Sequence, residues 1–314
     1  MNIAIISSIK DKASTNIKEN LINNFNFNKL EEKFDDNNIY YNKINNNEIK
    51  LYTINSELIY ADDLDKKIDS DLLVFISRHS AKEERKCLTA HAPGNFGKNE
   101  LGGKEKTLCI APAVYLKSII KELNKNAEGS DYEISIEATH HGPFLEKPVL
   151  FVEIGSSEKE WVDKNAGNII AKSLVSTIKN SSNESNPIIN NNSTNNDNKK
   201  INSVKIKNDS NNVINNKSMN KNNDYESVFV IGGGHYNHVA NKVMLETNLA
   251  VGHICAKYNL ESLDEGLIKE AMEKTVPKAR FVLLDWKGLG KEKQRILDLL
   301  SKNNIEYRRS DRDF

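Results

Sequence analysis

The sequence predicts an α/β protein, a mixed, largely parallel sheet with helices on both faces. Three observations support that class. Short β-branched and aromatic runs recur along the chain, stretches of helical period lie between them, and several runs are continuously apolar instead of alternating. Strands buried on both faces read in that way.

The elements follow in order. Ile3–Ile9 is too short an apolar run for a signal peptide and lacks a small-residue cleavage site, so it reads as a first buried strand. Further strands are expected at Leu72–Ser77, Glu133–Ala138, Val149–Ile154, Val228–Ile231, Val251–Cys255 and Phe281–Leu284. Helices are expected near Tyr115–Asn124, Glu158–Ile178, His238–Asn248, Leu263–Lys274 and Lys291–Ser301. Residues 180–223 break the pattern, with eighteen Asn among 44 residues and scattered apolar residues of no period. Such a segment buries too little surface to offset its ordering entropy, and a disordered insertion is expected there. It divides an α/β core into a first part, 1–179, and a second part, 224–314, without separating two domains.

Composition narrows the function. The 314 residues are 38% hydrophobic, with a formal charge of zero and a pI near 7.1. No global positive field draws in nucleic acid, so an RNA partner must be steered by local basic patches. No stretch approaches the roughly 18 apolar residues that span a membrane. Cys87, Cys109 and Cys255 are odd in number and lack CxxC spacing, as expected of a reducing, cytoplasmic setting. Nothing such as a heptad demands assembly, and a monomer is expected.

The chemistry concentrates in the histidines. All seven fall in four short clusters, each beside an apolar strand: His79 and His91, His140 and His141, His235 and His238, and His253. Ligands of α/β sheets sit in loops beyond strand ends. A catalytic zinc takes about three protein ligands and leaves one position open. His235 and His238, three apart at a loop-to-helix junction, are expected to face one ion. Adjacent His140 and His141 point to opposite sides if the backbone is extended, so one of them is expected to join that pair. His79 and His91 are further candidates, and Glu137, Glu153 and Glu246 could complete a shell, orient a ligand or act as general base. The bland alternative is that single histidines here only hydrogen-bond backbone.

Two other features admit a functional and a bland reading. Gly232, Gly233 and Gly234 follow a buried strand and precede a helix, so they make either an anion nest for a terminal ribose or phosphate, or a tight turn. The run is neither GxGxxG nor a P-loop. Arg78 to Thr107 carries seven Lys or Arg against four acids. Lys82, Arg85, Lys86, Lys104 and Lys106 are therefore candidates for contact with RNA phosphates, or else a solvated face. No GxSxG elbow is present, and Cys87 reads as a helix-packing residue more than a nucleophile, so attack by activated water is favoured over covalent catalysis.

The order of motifs then carries a resemblance. SRHSAKEERKCLTAHAPGNFG, APAVYLKSIIKEL, EATHHGP, PVLFVEIGSSEKEW, IGGGHYNHVANKV and VGHICAKY together closely resemble the archaeal and plant D-aminoacyl-tRNA deacylases. The resemblance covers residue 1 to about 179 and resumes from about 225. It implies hydrolysis of the ester joining a D-amino acid to the tRNA 3′ end, over a broad range of D-amino acids. It also implies dependence on zinc, two ions per chain, and a core like that of phosphorylases and peptidyl-tRNA hydrolases. The residues themselves agree with this chemistry. Zinc on histidines among His140, His141, His235, His238 and His79 or His91 would lower the pKa of a water. Glu137 or Glu153 would take its proton, and Arg78 or a glycine-turn N–H would stabilise the oxyanion. Rival readings are a zinc amidase or peptidase on a related scaffold, a non-catalytic RNA-binding protein with structural zinc, and a nucleoside phosphorylase.

Overall fold

The structure, a computed structural model, describes residues 1–81, 84–181 and 225–314. Expectations for Lys82 and for residues 182–223 lie outside these. Asn180 and Ser181, expected to open the Asn-rich insertion, instead close a helix.

The first part of the chain builds an eight-stranded sheet. β1 (Asn2–Ser8) is buried beyond its first residue and leads into α1 (Lys12–Asn24), which Asp11 caps by accepting from the Ser14 N–H at 2.8 Å. β2 (Asn28–Phe34), β3 (Asn37–Ile44) and β4 (Asn47–Ile54) form an antiparallel meander. Its turns place Asp35, Asp36 and Asn45 at positive φ, a conformation Asp and Asn tolerate. β5 (Leu72–Arg78) and β6 (Cys87–His91) follow, then the two-residue strands β7 (Gly94–Asn95), β8 (Thr107–Leu108) and β9 (Ala111–Pro112). α2 (Ala113–Asn126), β10 (Glu133–Ile136), β11 (Val149–Gly155), α3 (Glu158–Trp161) and α4 (Lys164–Ser181) complete this part. The strand order is β10-β6-β11-β5-β1-β4-β3-β2. Four of its pairings are parallel, and β6–β11 is antiparallel like the meander.

The second part builds a smaller parallel sheet. Its elements are β12 (Glu226–Ile231), α5 (His238–Glu246), β13 (Leu249–Cys255), α6 (Glu265–Glu273), β14 (Thr275–Val276), β15 (Phe281–Leu284), α7 (Lys293–Lys302) and β16 (Tyr307–Arg309). The order is β13-β12-β15-β16, with every pairing parallel. The fold is thus the expected mixed, largely parallel α/β class, divided over two main sheets. The helix expected over Glu158–Ile178 breaks at Asp163, whose carboxylate accepts from the Asn165 N–H at 2.8 Å and starts α4 anew. Among the described residues no helix is long and apolar enough to cross a membrane.

Strand alternation separates the two faces of the large sheet. Leu72, Val74 and Ile76 of β5, Leu150, Val152 and Ile154 of β11, and Leu88 and Ala90 of β6 pack into one core with α1, α2 and α4. Val149 and Phe151 face the other way with Leu73 and Phe75, the two Phe rings stacked at 4.8 Å. Glu153 continues that second face, two residues beyond Phe151. In the register of the β6–β11 pair, His91 stands opposite Phe151 and Thr89 opposite Glu153. A carboxylate and an imidazole therefore sit at the end of an aromatic core, where alternation alone would place apolar residues.

One cation ties the two parts together. Lys117 of α2 is fully buried, and its ammonium donates to the carbonyls of Met244 (2.6 Å), Thr247 (2.8 Å) and Leu249 (2.8 Å). These lie at the end of α5 and the start of β13, where unpaired carbonyls and the negative helix end attract a cation.

Candidate metal centre

Four segments converge at the C-terminal ends of β5 and β11. His79 follows β5 directly, its N–H bonded to the Ile154 carbonyl at 2.9 Å. His91 closes β6. Glu137, His140 and His141 lie on the strand-like run after β10, which is held by Glu137 N–H to Ala90 O (3.1 Å) and Ala138 N–H to His235 O (2.8 Å). His235 comes from the turn after β12, with Glu137 bridged to its neighbour Tyr236.

Four imidazoles approach two buried carboxylates, and a fifth, that of His141, packs against His91 and His140. Glu137 lies 3.1 Å from His79 Nδ1, 3.1 Å from His235 Nε2 and 3.6 Å from His140 Nε2. Glu153 lies 3.5 Å from His79 Nδ1 and 3.7 Å from His91 Nε2. Both carboxylates are essentially inaccessible. Despite these approaches, neither oxygen of Glu137 nor Nε2 of His91 has a well-aligned hydrogen bond. Buried polar atoms without such partners are costly.

The opposite ring edges are all engaged. Nδ1 of His91, His140 and His141 donates to the carbonyls of Ala92 (3.2 Å), Ala138 (2.8 Å) and Gly142 (2.5 Å). A carbonyl only accepts, so each neutral ring carries its proton on Nδ1 and presents the Nε2 lone pair to the centre. His79 Nε2 meets the Tyr236 hydroxyl at 2.9 Å, and His235 Nδ1 meets the Tyr258 hydroxyl at 3.1 Å. Outer partners of this kind fix metal-ligating histidines. Three sets bring their ligand atoms within 4.8 Å of one another: His79, Glu137, His140 and His235; His91, His140 and His141; and His91, Glu137 and Glu153. The donors suit a metal ion, and His140 belongs to both histidine-rich sets.

The ionisation of the cluster follows from its burial. Burial opposes charge on His79, but Glu137 and Glu153 outweigh it and raise its pKa to about 10. Burial likewise pushes Glu153 up, and His79 and His91 overcome that and hold it down to about 2. Glu137 is held well below its ordinary value, against burial, by His235 and His79. His141 falls to about 4 by burial and the nearby His91, and burial with the nearby His91 and His141 holds His140 well below its ordinary value. His140 and His141 are thus neutral, the ligand state a cation needs. The carboxylates instead favour a proton on His79 and, through Glu153, on His91, which a bound cation would displace.

The placement differs from several expectations. His140 and His141 do not diverge. His141 has φ 47°, which turns both rings to one side with centroids 4.3 Å apart. His238 does not join His235, because it begins α5 and is exposed while His235 still lies in the turn. Glu246 ends the same helix, also exposed and outside every set. His253 is a core residue between Thr139 Oγ1 (3.1 Å) and the Cys109 carbonyl (2.9 Å). Gly232 and Gly233 have φ of 106° and 82°, and the space beside Gly233 is filled by Asn237 and Asp285, while Gly288 packs on its backbone. An anion has no room beside that glycine, so the glycines there serve close packing; Gly234 is the open member of the run. Tyr236 and Tyr258 are functional neighbours that sequence reasoning passed over, although both stand inside the motifs GGGHYNH and VGHICAKY.

Beside the cluster opens a cavity of about 380 Å³. Asp11, Glu57, Arg78, Glu153 and the apolar Leu58, Ile59 and Leu101 are among its walls. Arg78 is held by Glu57 at 3.0 Å and the Lys10 carbonyl at 3.0 Å, with Asp11 3.9 Å away. The basic residues expected at RNA are largely paired: Arg85 with Glu133, Lys86 with Asp131 at 3.2 Å and Lys106 with Asp264 at 3.5 Å. Lys104 lies 3.8 Å over the Phe144 ring.

Residues 66–308 match the family model described as D-aminoacyl-tRNA deacylase. The chain belongs to that family. It is 33% identical over 312 residues to the D-aminoacyl-tRNA deacylase of Pyrococcus furiosus, covering 96% of this chain and 98% of that one. It is 34% identical over 311 residues to the deacylase of Thermococcus onnurineus, with the same coverage. Among solved structures it is similar to a conserved protein of unknown function, AF0625, with a TM-score of 0.76 and 27% identity over 99% of this chain and 95% of that one. The histidines of this deacylase-family chain therefore form a buried, metal-competent cluster beside a cavity.

Proposed function

We propose that this chain hydrolyses the ester between a D-amino acid and the 3′ end of tRNA, using zinc held by its histidine cluster. One observation supports the metal above all others: five rings are tied at their outer edges, and the free edges of His79, His140 and His235 converge on Glu137, whose two buried oxygens lack well-aligned partners. A donor set of imidazole and carboxylate suits zinc. His79, Glu137, His140 and His235 would hold one ion, and His91 with His141 would offer donors to a second, since the single free Nε2 of His140 can serve only one of them. Bound there, zinc would supply Lewis acidity toward the ester and its attacking water.

The chain's own residues supply the rest. Glu153 borders the cavity whereas Glu137 does not, so Glu153 is the base placed to take a proton from water. Arg78 lines the same cavity but is bound to Glu57, which makes it a wall fixing the pocket more than a free oxyanion donor. The apolar stretch of Leu58, Ile59 and Leu101 offers an unspecific surface to amino-acid side chains, which supports a broad range of D-amino acids. A zinc amidase would use the same cluster, and the family membership favours the deacylase.

Release of amino acid from matched D- and L-tyrosyl-tRNA tests this reading. Hydrolysis of the D-ester at least about tenfold faster than the L-ester is expected, a difference of about 1.4 kcal/mol in the barrier. Equal rates, or no release by folded enzyme, would remove it.

A further inference from the structure

The cluster lies between surfaces of opposite character. On one side is the cavity, where the carboxylates Asp11, Glu57 and Glu153 outnumber the single guanidinium of Arg78. On the other, a shallow depression shares His140, His141 and Leu101 with that cavity and continues to Lys98 and Tyr258. Tyr258 also borders a third hollow of about 460 Å³, walled by Lys257, Lys287, Lys291 and the backbone of Gly288–Gly290. The three run on from one another, with the histidines at the join.

What marks this path is the meeting of unpaired lysines with an accessible aromatic ring beside the histidines. The two acids in the third hollow are engaged, Glu261 with Lys291 at 2.5 Å and Glu292 with Arg295 at 2.6 Å, which leaves the exposed Glu100 beside Lys98 as the one acid of the path, among the described residues, without an ion pair. Lys98, Lys257 and Lys287 are exposed, and no ion pair forms to any of them among the described residues. Between Lys98 and the other two stands Tyr258, 54% exposed, with its hydroxyl on His235. Uncompensated lysines flanking an accessible aromatic ring form the pattern that binds single-stranded nucleic acid: the cations take phosphates and the ring stacks a base.

We propose that the single-stranded 3′ end of tRNA lies along Lys98, Tyr258, Lys257 and Lys287, with the aminoacyl group in the acidic and apolar cavity beyond the histidines. This rests on the deacylase reading and gives it a direction. An ester at the cluster has an amino acid on one side and nucleotides on the other, and the two surfaces match that polarity. Arg85, Lys86 and Lys106 are already neutralised by Glu133, Asp131 and Asp264, so they fall outside the path.

The test compares a Lys98→Ala/Lys257→Ala/Lys287→Ala variant with a Lys86→Ala/Lys106→Ala variant, the latter removing two lysines that already have carboxylate partners. On D-tyrosyl-tRNA the triple variant is expected to raise KM about tenfold or more with kcat within about twofold. The slope of log affinity against log salt for unacylated tRNA should become shallower by about 2, at roughly 0.7 per lost single-strand phosphate contact. The double variant should keep both parameters. In binding of unacylated tRNA, Tyr258→Ala should be weaker than Tyr258→Phe by about fivefold or more, since both lose the His235 contact and only one loses the ring. A triple variant with unchanged KM and salt slope, or losses confined to the double variant, would overturn the proposal. Binding of unacylated tRNA reads the surface even if the wild-type enzyme cleaves neither ester, a result that would count against the deacylase reading alone.

Discussion

His140→Ala should cost the deacylase at least about a hundredfold in kcat/KM and lower its bound metal. His140 is the one residue common to both histidine-rich sets, so whichever ion its free Nε2 serves loses a ligand. Loss of an outer partner costs a metal site about 10–100-fold, and loss of a ligand should exceed that. Two further variants grade the effect. Tyr236→Phe removes the hydroxyl 2.9 Å from His79 Nε2 and should weaken metal affinity within that 10–100-fold range. His238→Ala alters an exposed helix residue outside every set and should leave rate and metal content within about twofold. Kinetics on D-tyrosyl-tRNA together with elemental analysis separates the cases. If His140→Ala kept its metal and rate, the cluster would be a buried ion-pair network and nothing more.

Lys117→Met should destabilise the fold by about 3 kcal/mol. The substitution keeps most of the apolar stem but leaves three carbonyls, two of them buried contacts, without their shared donor. Unsatisfied buried groups cost about 1–3 kcal/mol each, and relaxation recovers part of that. Urea unfolding of zinc-loaded protein should show a lower midpoint at unchanged slope. Burial, aided by Lys121, lowers the Lys117 pKa from 10.5 to about 7. A folded chain that released the proton between those values would gain stability with rising pH, but three carbonyl acceptors favour the ammonium, so the Lys117 contribution is expected to stay level through that window. The wild-type minus variant difference isolates it, because every other group titrates alike in both. A difference that stayed flat from pH 7 to 10 would show that the three carbonyls hold the ammonium charged.

The strands that position the site were the legible part of the fold. VLFVEIG and LLVFISR are continuously apolar because both faces of β11 and β5 are buried. A glutamate inside such a run is a strong local signal, and Glu153 stands there as expected. The meander β2–β4 and α1 went unread because Asn and Lys dominate their sequences, and β2 is largely exposed. Their order comes from pairing with β1 and packing on α4, not from a pattern of their own. The same limit applied at the centre. That the histidines gather was visible from their positions beside strands, but which ones meet depends on backbone details. The left-handed turn at His141 brought together two rings expected to part, and the start of α5 at residue 238 separated two expected to join. The outer partners Tyr236 and Tyr258 were hidden because their link to histidine rings exists only once the two sheets are in place.

The decisive measurement is a zinc titration of chelator-stripped, folded enzyme assayed on D-tyrosyl-tRNA. The geometry predicts loss of activity on stripping and recovery that saturates at no more than two equivalents, with magnesium ineffective because the donors are mainly imidazole. Full activity in protein shown by elemental analysis to hold no metal would contradict it, and the cluster of histidines and carboxylates would then have to act through its own protons.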